Sequence, residues 1–483
     1  MKLSALWKET DGRLLQGSDE VEIKGIAYDS RQVQPGYLFV AITGFQTDGH
    51  QYVQKALENG AVAVAVEKEV ALPKDVAVLF CNNNRKLLAQ LGAAFYGHPS
   101  RQMTLVGVTG TNGKTSTTYL IKRVLEEKGK TVGLIGTIQN MIGQKELHTG
   151  RTTPESLDLQ ALFGEMKEAG VTDVVMEVSS HALDLHRVDE TDFDVAIFTN
   201  LTRDHLDYHK TMENYRNAKG ILFQMAKKAV VNVDDEAGAY MKDQCKGQVL
   251  TFGIDHGADL QAEQIAIDAT GVSFQLDYEG KTYPVRLQIP GKFSIYNALG
   301  AIGACLFMGI DMETILKGIS SIRGVRGRFE PVVSPKGTTA VVDYAHTPDG
   351  LENILNTAKE FVKGRIITVF GCGGDRDRTK RPMMGEVAGR LSDYCIITSD
   401  NPRSETPEAI LLDVEVGTKE TGCPYEMICD RKAAIFRAIA MAKVEDLVVV
   451  AGKGHEDYQI FADRTIHFDD VEVVKEAFLE EDK

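Results

Sequence analysis

The sequence predicts an α/β protein in three consecutive domains, each a largely parallel sheet covered by helices. Three observations lead there. Short β-branched apolar runs alternate with amphipathic helical stretches along the whole chain. The 483 residues exceed what one core holds, and at roughly 150 residues per domain they call for about three domains. Breaks at Gly97-His-Pro-Ser100 and at the Gly-Arg alternation Gly324–Arg328 divide the chain into 1–100, 101–328 and 329–483.

In the first block the strands fall at 25–28, 37–40, 61–66 and 76–80, with a helix over 84–96. The second block opens with a strand at 104–108, continues through 173–178, 194–199 and 229–232, and ends near a helix over 294–308. The third has strands at 340–342, 366–370, 394–398 and 447–451, each running into polar or glycine-rich residues. Ligands of open α/β sheets bind at those carboxyl ends.

Composition excludes several classes. Hydrophobic residues make up 43% and charged residues 25%, an ordinary globular balance. Lys plus Arg total 54 against 69 acids, a net charge of −15, which speaks against a nucleic-acid footprint. The run Arg376, Arg378, Lys380, Arg381 is short and lacks interleaved aromatics, so no nucleic-acid partner is expected. Seven scattered cysteines without a Cys-x-x-Cys pair fit a reduced compartment. No leader-like N-terminus and no apolar run of about 18 residues is present, so a cytoplasmic protein without membrane insertion is expected.

The segment Val106-Gly-Val-Thr-Gly110-Thr-Asn-Gly-Lys-Thr115 lies between a strand and a helix. Such a loop points consecutive N–H groups and a helix N-terminus at an anion. Lys114 would reach the β- and γ-phosphates and the Thr115 hydroxyl would ligate Mg²⁺. The strict Walker pattern wants glycine at Val108, so Gly110–Thr115 is a compact variant, and no G-x-G-x-x-G follows the strand. The central sheet is therefore read as a P-loop mononucleotide-binding sheet and the C-terminal one as Rossmann-like. Glu177 closes the 173–178 strand, placed to hold Mg²⁺. His205 and His209 are spaced i,i+4 without a His-Glu-x-x-His pattern, and Lys219 alone reads as a solvated helical charge.

Gly110–Thr115, Met176–His181, Asn200–His205 and Asp343-Tyr-Ala-His346 occur in an order and spacing that together resemble the Mur ligases, ATP-dependent amino-acid-adding enzymes of peptidoglycan precursor synthesis. The N-terminal segment and Asp400-Asn-Pro-Arg403 resemble the member that adds meso-diaminopimelate to the D-Glu of UDP-N-acetylmuramoyl-L-Ala-D-Glu. The resemblance implies an acyl-phosphate reaction with Lys114, Lys219, His205 and Glu177 as the catalytic residues. ATP would be held by Gly110, Thr111, Asn112, Gly113, Lys114 and Thr115, with Asn297 on adenine, Arg328 on the phosphates and Asp343 on the ribose. Mg²⁺ would be held by Thr115, Glu177, His205 and Lys219, the last as a CO₂-derived carbamate; His209 is read as structural.

The same resemblance assigns the UDP-muramyl dipeptide to Ser30, Phe45, Gln46, Thr47, Thr152, Thr153, Ser179 and Arg187. It assigns diaminopimelate to Arg376, Asp400, Asn401, Pro402, Arg403, Gly452 and Glu456. Carboxylate at both ends of the amino acid suits Arg376 and Arg403, and ammonium suits Asp400 and Glu456. The rivals are a folylpolyglutamate synthetase-like ligase, the L-lysine-adding muramyl ligase, and an NTP-binding module that is no synthetase. The expected partners are the small-molecule substrates alone, acting on a monomer.

Overall fold

The computed structural model describes residues 1–44, 47–268 and 270–481. Three main sheets follow one another along the chain, with five, eleven and six strands. The first has the order Arg13–Gln16, Ala77–Phe80, Ala61–Val66, Tyr37–Val40, Gly25–Ala27. Only Arg13–Gln16 is antiparallel there.

In the central sheet Thr104–Thr109 lies between Val195–Phe198 and Asp173–Glu177, parallel to both. Five of its six residues are buried, as expected of a strand covered by helices on both faces. Helices Lys114–Glu127, Lys292–Phe307 and Met312–Ser320 pack on one face; Ser156–Glu168 and Met212–Met225 pack on the other. Successive connections leave Thr104–Thr109 toward opposite sides, so its carboxyl end is a switch point where a crevice opens.

The C-terminal sheet runs Glu330–Val333, Thr339–Asp343, Leu447–Ala451, Ile366–Phe370, Tyr394–Ile397, Tyr425–Met427. Its first strand is antiparallel and the rest are parallel. The strands that end in Gly371, Thr398 and Gly452 are therefore adjacent, and their loops share one end of the sheet.

The sequence reading left 233–293 without strands. The structure fills that span with Gln248–Gly253, Leu260–Asp268, Gly271–Tyr278 and Lys281–Leu287, the last three antiparallel at the sheet edge. They alternate buried and exposed residues, so they carry no continuous apolar run of the kind used to find the others. The parallel sheets thus carry antiparallel strands at their edges. Among the described residues no helix is long and apolar enough to cross a membrane.

Candidate active site

The phosphate loop leaves Thr104–Thr109 and enters Lys114–Glu127. Gly110 and Gly113 have φ of +155° and +87°; a methyl on Gly110 would overlap the Thr199 hydroxyl and one on Gly113 the Asn297 amide. The loop is thus drawn tightly against the next strand end and the helix Lys292–Phe307. The Thr199 hydroxyl and Asn200 Nδ2 both donate to the Asn112 carbonyl, at 2.6 and 3.1 Å. Lys114 Nζ donates to the Gly110 and Thr111 carbonyls, both at 2.8 Å.

Thr211 caps Met212–Met225 by accepting from Asn214 N–H, which carries Lys219 inward beneath the same loop. Lys219 is 1% exposed, donates to the Gly110 carbonyl at 2.9 Å and lies 4.5 Å from the Tyr215 ring centre. Burial, and then the Lys114 charge, hold its ammonium well below its ordinary pKa; burial also lowers Lys114. From sequence Lys219 read as a solvated charge, but it is among the most buried cations of the chain.

Glu177 is 1% exposed and accepts from Thr137 N–H and its hydroxyl, each at 2.9 Å. His205 sits at φ +54°, a left-handed conformation that costs a non-glycine residue on the order of 1 kcal/mol or more. Its ring meets His181 edge-on at 4.8 Å, and burial pushes its pKa down to about 4 against the attraction of Asp204. His209 is buried, hydrogen-bonded to Ser180 at 2.9 Å and stacked on Tyr215, a structural placement.

Whether these groups suit Mg²⁺ is decided by their chemistry. Among the described residues no three His, Cys, Asp or Glu side chains are grouped as a metal cage. A hydroxyl, one carboxylate, one imidazole and a neutralisable lysine make an incomplete, mostly hard set. That suits Mg²⁺, which keeps waters and substrate phosphates rather than demanding a full protein cage.

Asn297 is buried, accepts from Thr117 Oγ1 at 3.5 Å and lines a small pocket with Leu120, Ile289, Phe293 and Ile322. Arg328 donates to Thr115 Oγ1 at 3.1 Å and stacks 4.7 Å over Tyr344. Asp343 accepts from Phe329 and Ala345 N–H at 2.6 and 2.7 Å, so both its oxygens are held by backbone; burial raises its pKa.

Thr152, Thr153, Ser179 and Arg187 gather at the end of the Glu177 strand. Thr153 Oγ1 donates to the Glu177 carbonyl at 2.9 Å and accepts from Ser179 N–H at 3.1 Å. Thr152 Oγ1 lies 3.0 Å from Thr137 Oγ1, and Arg187 pairs with buried Glu155 at 3.0 Å. Ser30 opens the short 3₁₀ turn Ser30–Gln32 and Thr47 lies in a loop after the strand Tyr37–Val40, both in the N-terminal domain; Phe45 and Gln46 lie outside the described residues.

In the third group, Arg403 has φ +53° and donates to the Gly374 carbonyl at 2.8 Å. Arg376 is exposed and donates to the Asp375 carbonyl at 2.9 Å. Asn401, expected to touch substrate, spends its side chain internally: Nδ2 donates to Glu456 at 2.8 Å while Oδ1 accepts from Lys453 and Ile460 N–H at 3.2 and 2.9 Å. These bonds fix Asn401 in the framework of the loop, with Pro402 buried beside it. Asp400, Arg403, Gly452 and Glu456 line a cleft of about 890 Å³ together with Asp204 and His205.

Sequence reasoning missed Lys453, which is fully buried and paired with Glu456 at 3.0 Å, although it lies inside a loop already singled out. It missed the Arg381–Glu405 pair at 2.7 Å, which clamps the Arg376 and Arg403 loops, and Asp349, which bonds the phosphate loop. Arg381 was visible only as part of a basic run; nothing local marks the other two.

A phosphate-type loop at the carboxyl end of a parallel sheet, bonded through Asn112 to Asp349 of a second α/β domain, is an arrangement that suits a nucleotide-dependent ligase. Family models agree: Mur ligase family, catalytic domain, matches residues 22–96, Mur ligase middle domain 108–305, and Mur ligase, glutamate ligase domain, 327–454. UDP-N-acetylmuramoyl-L-alanyl-D-glutamate–2,6-diaminopimelate ligase of Caldanaerobacter subterraneus subsp. tengcongensis is 50% identical over 470 residues, covering 97% of both chains. The Clostridium botulinum protein of the same name is 49% identical over 485 residues, covering 99% of this chain and 100% of that one. A solved structure of a ligase of that name matches with TM-score 0.73 and 32% identity, covering 100% of this chain and 99% of that one. The chain belongs to the Mur ligase family.

Proposed function

We propose that this chain is the ATP-dependent ligase that joins meso-2,6-diaminopimelate to the D-Glu of UDP-N-acetylmuramoyl-L-Ala-D-Glu, in peptidoglycan precursor synthesis. The observation that carries the reading is the cleft lined both by the His205 loop and by Asp400, Arg403 and Glu456. The relatives named above support the substrate pair. The domains 1–100, 101–328 and 329–483 take the muramyl nucleotide, ATP and the amino acid in that order.

Gly110–Thr115 cradles the phosphates, the Asn297 pocket takes the base, and Arg328 and Asp343 close over the sugar-phosphate. Thr152, Thr153, Ser179 and Arg187 hold the dipeptide arm beside Glu177, while Ser30, Phe45, Gln46 and Thr47 hold its nucleotide end. Lys114 screens the approach of the D-Glu carboxylate to the γ-phosphate. Loss of ADP leaves an acyl-phosphate, which the diaminopimelate amine attacks, expelling phosphate. Arg376 and Arg403 fix the carboxylates of that amino acid; Asp400 and Glu456 fix its ammonium. Thr115, Glu177, His205 and Lys219 would hold Mg²⁺, which when bound supplies charge neutralisation at the phosphates. Lys219, whose ammonium burial disfavours, adds to CO₂ through its neutral amine and loses a proton, becoming an anionic carbamate.

The test is phosphate release with ATP and the muramyl dipeptide, comparing meso-diaminopimelate, L-lysine and L-glutamate. Turnover dependent on meso-diaminopimelate is expected. Equal or faster turnover with lysine or glutamate, or turnover needing no amino acid, refutes the assignment.

A further inference from the structure

Asp349 opens the helix Pro348–Lys359, whose N-terminus is capped by Thr347 accepting from Gly350 N–H at 3.1 Å. This helix follows the strand Thr339–Asp343 of the C-terminal sheet, yet the Asp349 carboxylate points away from that sheet's own residues. Its Oδ2 accepts from Asn112 Nδ2 at 2.7 Å and from Thr202 Oγ1 at 2.9 Å, with Asn353 adding a weaker bond at 3.3 Å.

The two strong donors belong to the two loops that build the reacting region. Asn112 is in the phosphate loop and Thr202 leads to Asp204 and His205. Those loops are already bonded to each other: Thr202 N–H donates to Thr111 Oγ1 at 3.0 Å, and Asn112 N–H to Asn200 Oδ1 at 2.9 Å. One oxygen from the C-terminal sheet therefore gathers both loops at once. The same segment reaches the amino-acid loops, because Lys380 Nζ, at the helix start after Gly371–Arg376, donates to the His346 carbonyl at 3.1 Å. Bonds to a partly desolvated carboxylate are stronger than neutral ones and break at greater cost.

Resting on the ligase reading above, we propose that Asp349 is a positioning residue: it fixes the amino-acid loops over the phosphate loop, so that the amine meets the acyl-phosphate where it forms. It lines the cleft, but its Oδ2 is taken up by Asn112 and Thr202, so its part is to place loops rather than to react. Its removal therefore spares acyl-phosphate formation and slows capture.

Hydroxylamine separates the two, since its nitrogen displaces phosphate from an acyl-phosphate and leaves a stable hydroxamate without using the amino-acid loops. Wild type, Asp349→Ala, Asp349→Asn and Thr202→Val are assayed for hydroxamate from ATP and muramyl dipeptide, and for meso-diaminopimelate ligation. Misplacement of a reactant by about an ångström costs on the order of a hundredfold, so Asp349→Ala is expected to lose about tenfold to a hundredfold in ligation kcat. Its hydroxamate rate and KM for ATP stay within about threefold of wild type. Asp349→Asn, which keeps an acceptor oxygen, recovers part of the loss. Thr202→Val, which leaves Asp349 in place and fully bonded to Asn112, shows a smaller loss of the same kind and stands in if Asp349→Ala does not fold. Hydroxamate and ligation falling in equal proportion, or ligation within about threefold of wild type, overturns the proposal. Absence of both products in wild type overturns the ligase reading instead.

Discussion

At the phosphate loop, Lys114 and Lys219 both turn onto one backbone carbonyl, that of Gly110, at 2.8 and 2.9 Å. At the amino-acid loops, Lys453 turns onto two side chains, Asn401 and Glu456, at 3.2 and 3.0 Å. The first arrangement puts two cations within reach of one dipole, and burial lowers the pKa of both. The second closes a network in which each buried charge has an opposite partner. On the ligase reading, the first region is poised to take on negative charge, while the second is already assembled around fixed charge. Phosphate chemistry needs the former, because charge arrives with the substrate. Selecting among amino acids needs the latter, because discrimination rests on preplaced partners.

The largest effect expected from this contrast is at Lys114. Lys114→Ala should lose a thousandfold or more in turnover, on the order of what a lost transition-state charge partner costs, while circular dichroism and Tm stay near wild type. Turnover close to wild type at saturating ATP would erase the difference between the two regions. Next comes Lys219. Lys219→Ala should lose about a hundredfold and regain part of it with formate or acetate, small anions that replace the carbamate charge. Mass spectrometry and a CO₂-equilibrated structure showing only an ammonium at Lys219 would remove the anion from the argument.

Arg403 probes the assembled region. Arg403→Ala should lose about tenfold to a hundredfold in kcat/KM for meso-diaminopimelate, with ATP and muramyl-dipeptide KM little changed. Arg403→Lys should not restore it, since a point charge lacks the planar fork. An equal drop for lysine would mean Arg403 only shapes its loop.

The smallest effect lies outside both regions, at Asp234. Burial opposes its ionisation but is outweighed by the N–H groups of Ile254 and Asp255 and by His256 and Tyr296, which hold its pKa at about 2. A depressed carboxylate pKa contributes stability above its unfolded value near 4, and that contribution fades as pH falls from about 4 toward 2. The shift corresponds to about 2 kcal/mol, so Asp234→Asn should lower Tm by a few degrees at pH 7 and flatten the acid limb of the Tm–pH curve. An unchanged acid limb would refute it.

Local chemistry made parts of the site legible. The place of Gly110–Thr115 between strand and helix was readable because a compact glycine loop is set by neighbouring residues alone. Glu177 is readable because it terminates an apolar strand. Lys219 is not, since a helix shows which face a residue takes only once that face is packed; the metal role came from resemblance alone. The internal bonding of Asn401 was not legible either, because its three partners come from 52 to 59 positions away.

The sequence by itself determined most of the buried parallel strands, their polar or glycine-rich carboxyl ends and the order of the loops, because apolar runs and turn residues act over a few positions; the parallel strands Val132–Ile135, Gln248–Gly253 and Tyr425–Met427 escaped it. It left out the half-exposed strands Leu260–Asp268, Gly271–Tyr278 and Lys281–Leu287, whose pattern resembles ordinary surface. Tertiary structure alone decided that Asp349 meets Asn112 across 237 positions, that Lys219 is dry, and that Lys453 is buried beside Glu456. Those outcomes depend on which groups lose water together, and desolvation is a property of the packed molecule rather than of any segment in it.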